Sequence, residues 1–492
     1  MTQSNLEEDQ SFPERMAENG FGSYDFRNNS MGNHEAYRLG KSLSDYYGKS
    51  SKVIIGRDHR EKSEPVKNGL IEGLLDHGTH VRYVGLAPTD LIAHQVNSGN
   101  YDGGVAVTAS HMPPGFRGLK PLNGKGRIFD ETELNEVLEG YTEFKDTKDE
   151  YQNWQTDLET DRFGGKYEVA DDIFEQYISD AVKRYEELFN QDLSGVSVAV
   201  DLGNGMGCLT VPRLLNELGV ENNDLYLLNY NLDPDFNGRG ADPTDSELDQ
   251  LKQTVKEEDL DLGIAFDGDA DRAVFINDNS EKVVGDESLA ILSEKYLDSA
   301  ETGHKAPGIV CSANTSQMVE DWLTQGISER ESLGTVNYQP VGAVFTAKEC
   351  LNNENMLFGG QPNGHLLDPE FVPYDSGTLA GAVMAGIINQ TKSLSSKQDE
   401  LPSYDIVRTN WEVDDKQDAM EILKTQFGGK NTHGVHRADI TRENIVGLTG
   451  ANDKVLFRPS GNEPVIRITV ERRAETEMLD KLKNTTNQLL EQ

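Results

Sequence analysis

A serine, a histidine and a lysine that could together handle a phosphoryl group lie close to one another in the sequence. Ser110 and His111 belong to the run Thr108–Pro113, which follows the strand-like segment Gly104–Val107, and Lys120 comes shortly afterwards. A serine that exchanges a phosphoryl group needs a neighbour that handles its proton and a cation that stabilises developing negative charge. The run predicts a phosphoryl-transfer loop; on its own it is equally compatible with a capped turn that carries a surface histidine.

A second candidate site is an acidic loop that directly follows an apolar, strand-like segment. Its charged members, which alternate with small residues, are Asp267, Asp269, Asp271 and Arg272. Three carboxylates at alternating positions can converge on one hard cation, and oxygen ligands with open positions suit Mg²⁺. We interpret the loop as a magnesium site in which Arg272 holds phosphate oxygens. The alternative is that such acidic spacing arises by chance in a chain rich in acids, with Arg272 as an internal partner of these acids.

Two arginines flank a short polar turn near the end of the chain. The segment contains Arg458, Ser460, Asn462 and Arg467. A Ser-Gly-Asn turn exposes backbone N–H groups, and arginine side chains bind a phosphate through two parallel hydrogen bonds. The segment therefore predicts a phosphate-binding loop, and a hairpin with surface arginines is the alternative.

Two further segments offer groups that could contact a sugar. Gln361, Asn363 and His365 supply amide donors and acceptors and an imidazole within one glycine-rich run, which suits sugar hydroxyls. Tyr24 and Arg27 supply a phenol and a guanidinium near the start of the chain. The alternatives are an ordinary turn for the first segment and a helix N-terminal cap for the second.

The elements that must position these residues alternate between strands and amphipathic helices. The strand-like runs Val53–Asp58, Val81–Gly85 and Val196–Asp201 alternate with helix-like segments, one of which ends near Gly78 while another, Val211–Leu218, follows the third run. This alternation predicts an α/β protein with parallel or mixed sheets, whose functional groups lie at the carboxyl ends of strands. We interpret the polar segment Ser393–Ser403 as a linker before a last, smaller α+β unit.

Charge and cysteine content exclude several classes of protein. Over 492 residues, 85 acidic side chains outnumber 46 basic ones, giving a formal net charge of −39. Such a surface repels nucleic acid and anionic membranes, so we expect neither as a partner. The acids are scattered through globular segments, which indicates adaptation to a salt-rich cytoplasm. Three widely spaced cysteines fit a reducing compartment, and the polar start, Met1–Gln10, predicts no secretory signal.

Taken together and in this order, the segments resemble the motifs of the α-D-phosphohexomutase family, the phosphomannomutases and phosphoglucomutases. The family carries a catalytic Thr-Ala-Ser-His-Asn-Pro loop, an Asp-Gly-Asp-x-Asp-Arg metal loop, a Gly-Glu-x-Ser-Gly-His sugar loop and an Arg-x-Ser-Gly-Thr-Glu-Pro phosphate loop. Secondary matches are Tyr24–Arg27, Val53–Asp58 and Asp201–Gly207, and the resemblance extends from about Phe21 to Glu471.

The resemblance implies four domains around a central cleft, three related mixed α/β domains and a smaller C-terminal α+β domain. We expect the domains to divide at 1–160 with the phosphoserine loop, 161–282 with the metal loop, 283–395 with the sugar loop and 396–492 with the phosphate loop.

The resemblance also assigns roles to residues. Ser110 would be the phosphoserine, and the three aspartates would hold Mg²⁺ together with a phosphoserine oxygen. His111, Lys120 and Arg272 would assist transfer. The implied substrate-binding residues are Tyr24, Arg27, Gln361, Asn363, His365, Arg458, Ser460, Asn462 and Arg467.

The chain departs from the family's motifs mainly where the sugar is read. Met112 replaces the asparagine of the catalytic loop, while Gln361 and Asn363 replace the acid and the serine of the sugar loop. Ala343 lies where many members carry a histidine, and Val310 where bacterial members carry a lysine. A neutral amide removes a charge-assisted acceptor for a hydroxyl, which should weaken the selection of the sugar.

The expected function is a Mg²⁺-dependent phosphosugar mutase that moves a phosphoryl group between the 1- and 6-positions of a hexose phosphate. The reaction would pass through phosphoserine and a hexose 1,6-bisphosphate, which would also act as the activator. Three alternatives stay open: a mutase for an amino- or N-acetyl-sugar phosphate, a sugar-phosphate binding or regulatory protein without turnover, and a phosphatase-like protein in which the phosphoserine is hydrolysed. The sequence does not specify the oligomeric state.

Overall fold

Four β-sheets follow one another along the described part of the chain. The computed structural model describes residues 25–28, 30–144, 164–170, 173–300, 306–328, 335–427, 446–449, 453–459 and 465–472. The first three sheets are mixed and covered by helices, whereas the fourth is antiparallel. The predicted architecture of three α/β domains and a smaller C-terminal domain is confirmed. None of the helices within these ranges is long and apolar enough to cross a membrane.

The first domain is built on a six-stranded sheet of order β1-β5-β4-β2-β3-β6. β2 pairs in parallel with β3 and β4, whereas β5 runs antiparallel to both β4 and β1. Its elements are β1 (Phe26–Asn28), α1 (Asn33–Tyr47), β2 (Lys52–Arg57), α2 (Ser63–Asp76), β3 (His80–Leu86), α3 (Thr89–Ser98), β4 (Gly103–Val107), β5 (Arg117–Leu122), α4 (Glu131–Glu143) and β6 (Tyr167–Val169).

The second domain has a four-stranded sheet of order β10-β9-β7-β8, in which only the edge strand β10 is antiparallel. All residues of β7 and β9 are buried, as expected for apolar strands at the centre of a covered sheet. The elements are α5 (Ile173–Leu188), β7 (Val198–Asp201), α6 (Val211–Glu217), β8 (Leu225–Leu228), α7 (Asp249–Glu257), β9 (Leu262–Phe266) and β10 (Ala273–Ile276).

The third domain repeats this plan with the order β12-β11-β13-β14, and β14 is the antiparallel strand. Its elements are α8 (Gly285–Asp298), β11 (Gly308–Ser312), α9 (Gln317–Ser328), β12 (Thr335–Gln339), α10 (Ala343–Asn352), β13 (Met356–Gly360), β14 (Leu366–Leu367) and α11 (Gly377–Thr391).

The predicted linker, Ser393–Ser403, contains a short helix, α12 (Leu394–Asp399). The Ser393 hydroxyl accepts a hydrogen bond from the Ser396 N–H and caps the helix, while Leu394 is fully buried. One buried leucine and a serine cap thus stabilise a short helix within the predicted linker.

The last domain is a four-stranded antiparallel sheet of order β15-β18-β17-β16 with one helix. Its elements are β15 (Asp405–Glu412), α13 (Lys416–Phe427), β16 (Val446–Thr449), β17 (Asp453–Pro459) and β18 (Val465–Arg472). β17 and β18 form a hairpin whose connecting residues lie outside the described ranges. This domain has its own small apolar core, around Met420, Phe457 and Ile466.

The first three domains share one continuous apolar core. Leu91 of the first domain, Tyr177 and Phe266 of the second and Leu379 and Val383 of the third belong to the same buried cluster. A shared core fixes the three domains relative to one another, because sliding them would expose apolar surface. The loops at the ends of their strands are therefore held on one rigid frame.

A buried carboxyl group lies where these three domains meet. Asp90, at the start of α3, is fully buried and accepts hydrogen bonds from the hydroxyls of Tyr177 (2.5 Å) and Ser376 (2.6 Å). Burial raises the pKa of Asp90 to about 7, and the charge of Asp271 adds to the rise. In the unfolded chain an aspartate titrates near pH 3.9, about three units lower. Folding therefore takes up a proton at this position as pH approaches neutrality.

This uptake predicts a pH-dependent loss of stability. The folded pKa lies above the unfolded one, so the stabilisation is complete below about pH 4 and is lost as pH rises through 7. Between pH 5 and 7 we expect the wild type to lose about 2 kcal/mol of unfolding free energy relative to Asp90→Asn. Urea denaturation followed by circular dichroism at constant salt would measure this. The exposed control Asp399→Asn should retain the wild-type slope, and equal slopes for Asp90→Asn and wild type would contradict the prediction.

Candidate active site

The proposed nucleophile lies in a tight loop directly after the buried strand β4. Ser110 is 2% exposed, and its backbone has a φ of 54°, a left-handed conformation that is uncommon outside glycine. The Thr108 hydroxyl accepts a hydrogen bond from the Ser110 N–H (2.9 Å), and the Ser110 Oγ lies 3.3 Å from the His111 Nδ1. The loop thus holds the serine hydroxyl beside an imidazole that could handle its proton.

The three aspartates of the acidic loop converge after β9. Asp267, Asp269 and Asp271 are each at most 1% exposed, and one oxygen from each lies within 4.8 Å of the others. Gly268 between them approaches the nucleophile loop closely, because a Cβ there would lie 2.7 Å from the Ser110 carbonyl oxygen. A side chain at this position would push the two loops apart. Glycine therefore allows the serine loop and the acidic loop to meet.

Lys120, on β5 of the first domain, reaches into the acidic cluster of the second. Its Nζ donates to the Asp269 Oδ2 (2.6 Å) and the Asp271 Oδ2 (2.7 Å), and lies 3.1 Å from the Tyr374 hydroxyl. Tyr374 also donates to the Asp271 Oδ2 (3.1 Å), and the Thr89 hydroxyl donates to the Asp269 Oδ2 (2.8 Å). All three domains of the shared core therefore contribute to the cluster.

Two arginines border the cluster. The Arg272 Nε donates to the Asp267 Oδ2 (3.0 Å), and its Nη2 lies 3.1 Å from the Asp242 Oδ1. Arg27, on β1, pairs with Asp25 at 2.6 Å and donates weakly to the Ala109 carbonyl in the nucleophile loop (3.5 Å). Both guanidinium groups thus lie next to the loops that would carry negative charge during phosphoryl transfer.

The glycine-rich sugar loop lies against the acidic loop. His365 forms an isolated β-bridge with Arg272, and its Nδ1 lies 2.9 Å from the Asp375 Oδ2. Asn363 lines a cavity of about 110 Å³ together with Arg272, Asp242 and Lys282.

Gln361 in the same loop is only 3% exposed, and its Oε1 accepts a hydrogen bond from the Gly342 N–H (3.2 Å). One side of this glutamine is therefore occupied in holding the turn that precedes Ala343. A sugar hydroxyl would find the two N–H donors of the amide and one remaining lone pair of its oxygen.

The electrostatics of the cluster are dominated by burial and by the spacing of its charges. Burial, followed by the negative charge of Asp271, raises the pKa of Asp267 well above its usual value. Burial lowers the pKa of Lys120, but Asp269 and Asp271 more than reverse this, so the ammonium stays charged. Burial and then the positive charges of Arg272 and Arg27 lower the pKa of His111 to about 2. The imidazole beside Ser110 is therefore neutral, and in that form it can share a hydrogen bond with the serine hydroxyl.

The acidic cluster fits a divalent cation. The Oδ1 atoms of Asp269 and Asp271 are buried without a hydrogen-bond donor, while the corresponding Oδ2 atoms contact Lys120. Unpaired buried carboxylate oxygens are costly, and an oxygen-ligand cation removes that cost. The three aspartates, Lys120 and Arg272 together carry a formal charge of −1. A bound Mg²⁺ would change this charge to +1, which would attract a phosphate group. These residues therefore fit the metal predicted from the sequence.

Not all predicted site residues can be placed. Tyr24, Ser460 and Asn462 lie outside the described residues. Arg458 and Arg467 lie in the fourth sheet, directly opposite each other on β17 and β18.

Thr89 and Tyr374 contact the acidic cluster but were not identified from the sequence. Thr89 contacts Asp269, which is 180 residues away in sequence, and Tyr374 contacts Asp271, 103 residues away. Neither residue lies in a motif that links it to the acidic loop, so no local signal could have revealed it.

Comparison with known proteins agrees with this geometry. Models of the phosphoglucomutase/phosphomannomutase α/β/α domains I, II and III match residues 18–148, 175–280 and 284–404, which is more than half of the chain. The chain belongs to the α-D-phosphohexomutase family. The members of this family are enzymes, mutases that act as intramolecular phosphotransferases.

Phosphohexomutase relatives match almost the whole chain. A probable phosphoglucosamine mutase of Methanopyrus kandleri is 33% identical over 89% of this chain and 90% of its own length. A phosphoglucomutase/phosphomannomutase of Thermococcus kodakarensis is 32% identical over 86% of each chain. A phosphoglucosamine/phosphogalactosamine mutase of Sulfurisphaera tokodaii is 29% identical over 92% of this chain and 94% of its own.

Solved structures share the fold at lower identity. A phosphoglucomutase/phosphomannomutase family protein from Burkholderia thailandensis has a TM-score of 0.80 at 20% identity, covering 96% of this chain and 97% of that one. The N-acetylphosphoglucosamine mutase of Aspergillus fumigatus, solved with GlcNAc-6P and magnesium, has a TM-score of 0.60 at 13% identity, covering 97% and 98%.

Replacing one metal-site carboxylate tests the cation site directly. We expect Asp269→Asn to weaken Mg²⁺ binding by at least about 10–100-fold, because a hard cation loses an anionic oxygen ligand. Losing a residue that only hydrogen-bonds to a metal ligand already lowers metal affinity by roughly this factor. Isothermal titration of the purified protein with Mg²⁺ measures this without any substrate. The matched control is Asp286→Asn, since Asp286 is also fully buried and pairs with Arg408 at 2.6 Å, outside the cluster. Equal Mg²⁺ affinity in Asp269→Asn and wild type would exclude the site.

Proposed function

We propose that the protein is a Mg²⁺-dependent phosphohexomutase that moves a phosphoryl group between the 1- and 6-positions of a sugar phosphate through phosphoserine at Ser110. The observation that carries this proposal is the meeting of the Ser110 loop with the buried acidic cluster at Gly268. Phosphoryl transfer needs mainly positioning and neutralisation of charge, and both are built into this arrangement.

Each half of the reaction exchanges one P–O bond for another. In the first half, the bond between phosphorus and the Ser110 Oγ breaks while a hydroxyl oxygen of the sugar phosphate bonds to phosphorus. The proton of that hydroxyl passes to the serine oxygen, and the neutral His111, whose Nδ1 lies 3.3 Å from the Oγ, is placed to hydrogen-bond with that oxygen. The resulting bisphosphate then returns its other phosphoryl group to Ser110 by the reverse exchange, which leaves the isomeric monophosphate.

Residues of this chain stabilise the negative charge of the moving group. Lys120 and Arg272 lie at the acidic loop, and Arg27 contacts the backbone of the nucleophile loop. We assign Asp267, Asp269, Asp271 and a phosphate oxygen on Ser110 as ligands of Mg²⁺. When bound, the ion would act as a Lewis acid on the phosphoryl oxygens.

The phosphate that does not react would be held by the fourth domain. Arg458 and Arg467 are direct partners across the antiparallel pair of β17 and β18, so their side chains start from the same place in the sheet. Two guanidinium groups so placed could both donate hydrogen bonds to one phosphate. Ser460 and Asn462, which lie between the two strands in the sequence, are proposed to complete this grip.

We infer that the substrate is an amino-sugar phosphate, with glucosamine phosphate as the first candidate. Two of the relatives reported above are named for phosphoglucosamine. The sugar loop offers a neutral amide at Gln361, whose Oε1 already accepts one hydrogen bond, in place of the acid that reads hydroxyls in the phosphomannomutase motif. Asn363 and His365 are proposed as the other contacts to the sugar ring.

Several wider features belong to the same proposal. A hexose 1,6-bisphosphate would prime Ser110, and the setting would be a salt-rich cytoplasm, in keeping with the net charge of −39. We propose domain divisions after residues 160, 282 and 395. β6, at Tyr167–Val169, follows the first of these divisions in the sequence but pairs with β3 of the first sheet.

Removal of the serine hydroxyl tests the phosphoserine. We expect Ser110→Ala to lower mutase turnover by at least about a thousandfold, because the nucleophile is lost while no new polar group is buried. Intact-mass measurement after incubation with glucose 1,6-bisphosphate should show a phosphate adduct on the wild type and none on the variant. The control Ser44→Ala removes a buried hydroxyl of the same domain, which lies 2.6 Å from the Thr79 hydroxyl, and should keep both turnover and adduct. Undiminished turnover by Ser110→Ala would exclude the mechanism.

A substrate panel tests how the sugar is read. Glucosamine, N-acetylglucosamine, glucose, mannose and pentose 1-phosphates would be compared in molar salt, for wild type and for the double variant Gln361→Glu/Asn363→Ser. We expect the wild type to favour glucosamine phosphate and the double variant to shift relative kcat/KM toward glucose or mannose phosphate by about ten- to a hundredfold.

The panel also separates the alternatives. Identical preferences in wild type and double variant would refute the role of the sugar loop. Binding of several sugar phosphates without turnover of any would favour a sugar-phosphate binding protein, an interpretation that the altered sugar loop keeps open.

A further inference from the structure

A buried arginine that no motif assignment uses holds the backbone of the nucleophile loop. Arg60 is 3% exposed, and its guanidinium donates to three carbonyl oxygens, those of Ser110 (2.7 Å), Met112 (2.6 Å) and Pro113 (2.9 Å). A guanidinium has five N–H donors fixed in one plane, so it can hold several acceptors in a set orientation. The shape of the loop that carries Ser110 is therefore determined largely by one side chain.

The loop needs such support because its conformation is unfavourable on its own. A non-glycine residue in the left-handed region, as Ser110 is, is strained and persists only where its surroundings enforce it. Asp58 in turn fixes Arg60, since the Asp58 Oδ2 lies 3.1 Å from the Arg60 Nε and the Asp58 Oδ1 accepts from the Arg60 N–H (3.2 Å). The support thus begins at the end of β2.

The same arginine contacts the second domain. Its guanidinium carbon lies 4.7 Å from the centre of the Phe236 ring, and the neighbouring His59 Nε2 lies 2.8 Å from the Asp233 carbonyl oxygen. Phe236 is 4% exposed and has a φ of 53°, a rare conformation for a bulky side chain. Its ring also lies against the acidic loop, because a Cβ on Gly268 would come within 3.3 Å of it.

We propose that Arg60 and Phe236 are positioning residues that hold the Ser110 loop of the first domain in register with the acidic loop of the second. We call this pair the loop clamp. The proposal rests on the proposed function and deepens it, because the clamp would fix the distance between the serine oxygen and the phosphoryl group it exchanges. A displacement of about 1 Å in such an arrangement can cost about a hundredfold in rate.

Kinetics of clamp variants give the first test. We expect Arg60→Ala to lower kcat by about a hundredfold with little change in KM, because the clamp touches the nucleophile loop and not the sugar. Arg60→Lys should recover little, since an ammonium cannot match three carbonyls in one plane, whereas millimolar guanidinium should partly restore Arg60→Ala. Phe236→Leu should also lower kcat, as Arg60→Ala does.

The matched control is Arg38→Ala. Arg38 makes the same kinds of contact elsewhere in the first domain, donating to the Tyr141 carbonyl (2.6 Å) with its guanidinium carbon 3.8 Å from that ring's centre. We expect this variant to keep wild-type kinetics. A fall in kcat that merely tracks the folded fraction, or a rise in KM at unchanged kcat, would overturn the proposal.

A measurement independent of turnover separates this proposal from the proposed function. Amide hydrogen exchange should show faster exchange at residues 109–112 and 267–271 in Arg60→Ala than in wild type, with the rest of the first domain unchanged. Unaltered exchange in both loops would overturn the clamp even in an active enzyme. Wild-type protein that neither turns over sugar phosphates nor forms phosphoserine, yet shows this exchange pattern in Arg60→Ala, would refute the proposed function while supporting the clamp.

Discussion

Burying three carboxylates within 4.8 Å of one another is the constraint on which the rest of the site depends. Each charge loses its hydration and repels the other two, so the cluster is tolerable only with cations inside it. Lys120 arrives from the first domain and Arg272 from the acidic loop itself, while Tyr374 adds a hydroxyl from the third domain. The need for compensation therefore ties three domains to one point.

The side chains of the acidic cluster can hold fixed positions only because the three domains that supply them form a rigid frame. The first three domains share a continuous apolar core, so their strand ends cannot shift independently. On this frame the strained residues Ser110 and Phe236 both lie against Gly268 of the acidic loop, where the absence of a side chain leaves room for them. Strain at a functional loop persists where surrounding contacts enforce it, and here Arg60 provides many of those contacts.

Much of the fold could be predicted from the sequence because its signals are local. The apolar run Leu262–Phe266 becomes β9, and the alternating acids after it converge as their spacing indicates. What the sequence could not show are contacts between distant segments, such as the hydroxyl of Thr89 on Asp269. Nor could it show that Gln361 already uses its carbonyl oxygen on Gly342, since that depends on how two loops meet. The polar composition after Ser393 likewise did not show the short helix there, because that helix depends on the burial of Leu394 against distant residues.

The last domain stands apart in one respect. Its apolar core, around Phe457 and Ile466, is separate from the large core of the other three, and it is joined to the third domain by polar contacts such as that of Arg408 with Asp286, with Leu456 packing on Ala313. Parts of a protein with separate cores open as separate cooperative units. Calorimetry would then resolve two melting events, the smaller at lower temperature. A ligand that bridges both units would merge them into one, so that the sharpness of melting reports whether the cleft is filled.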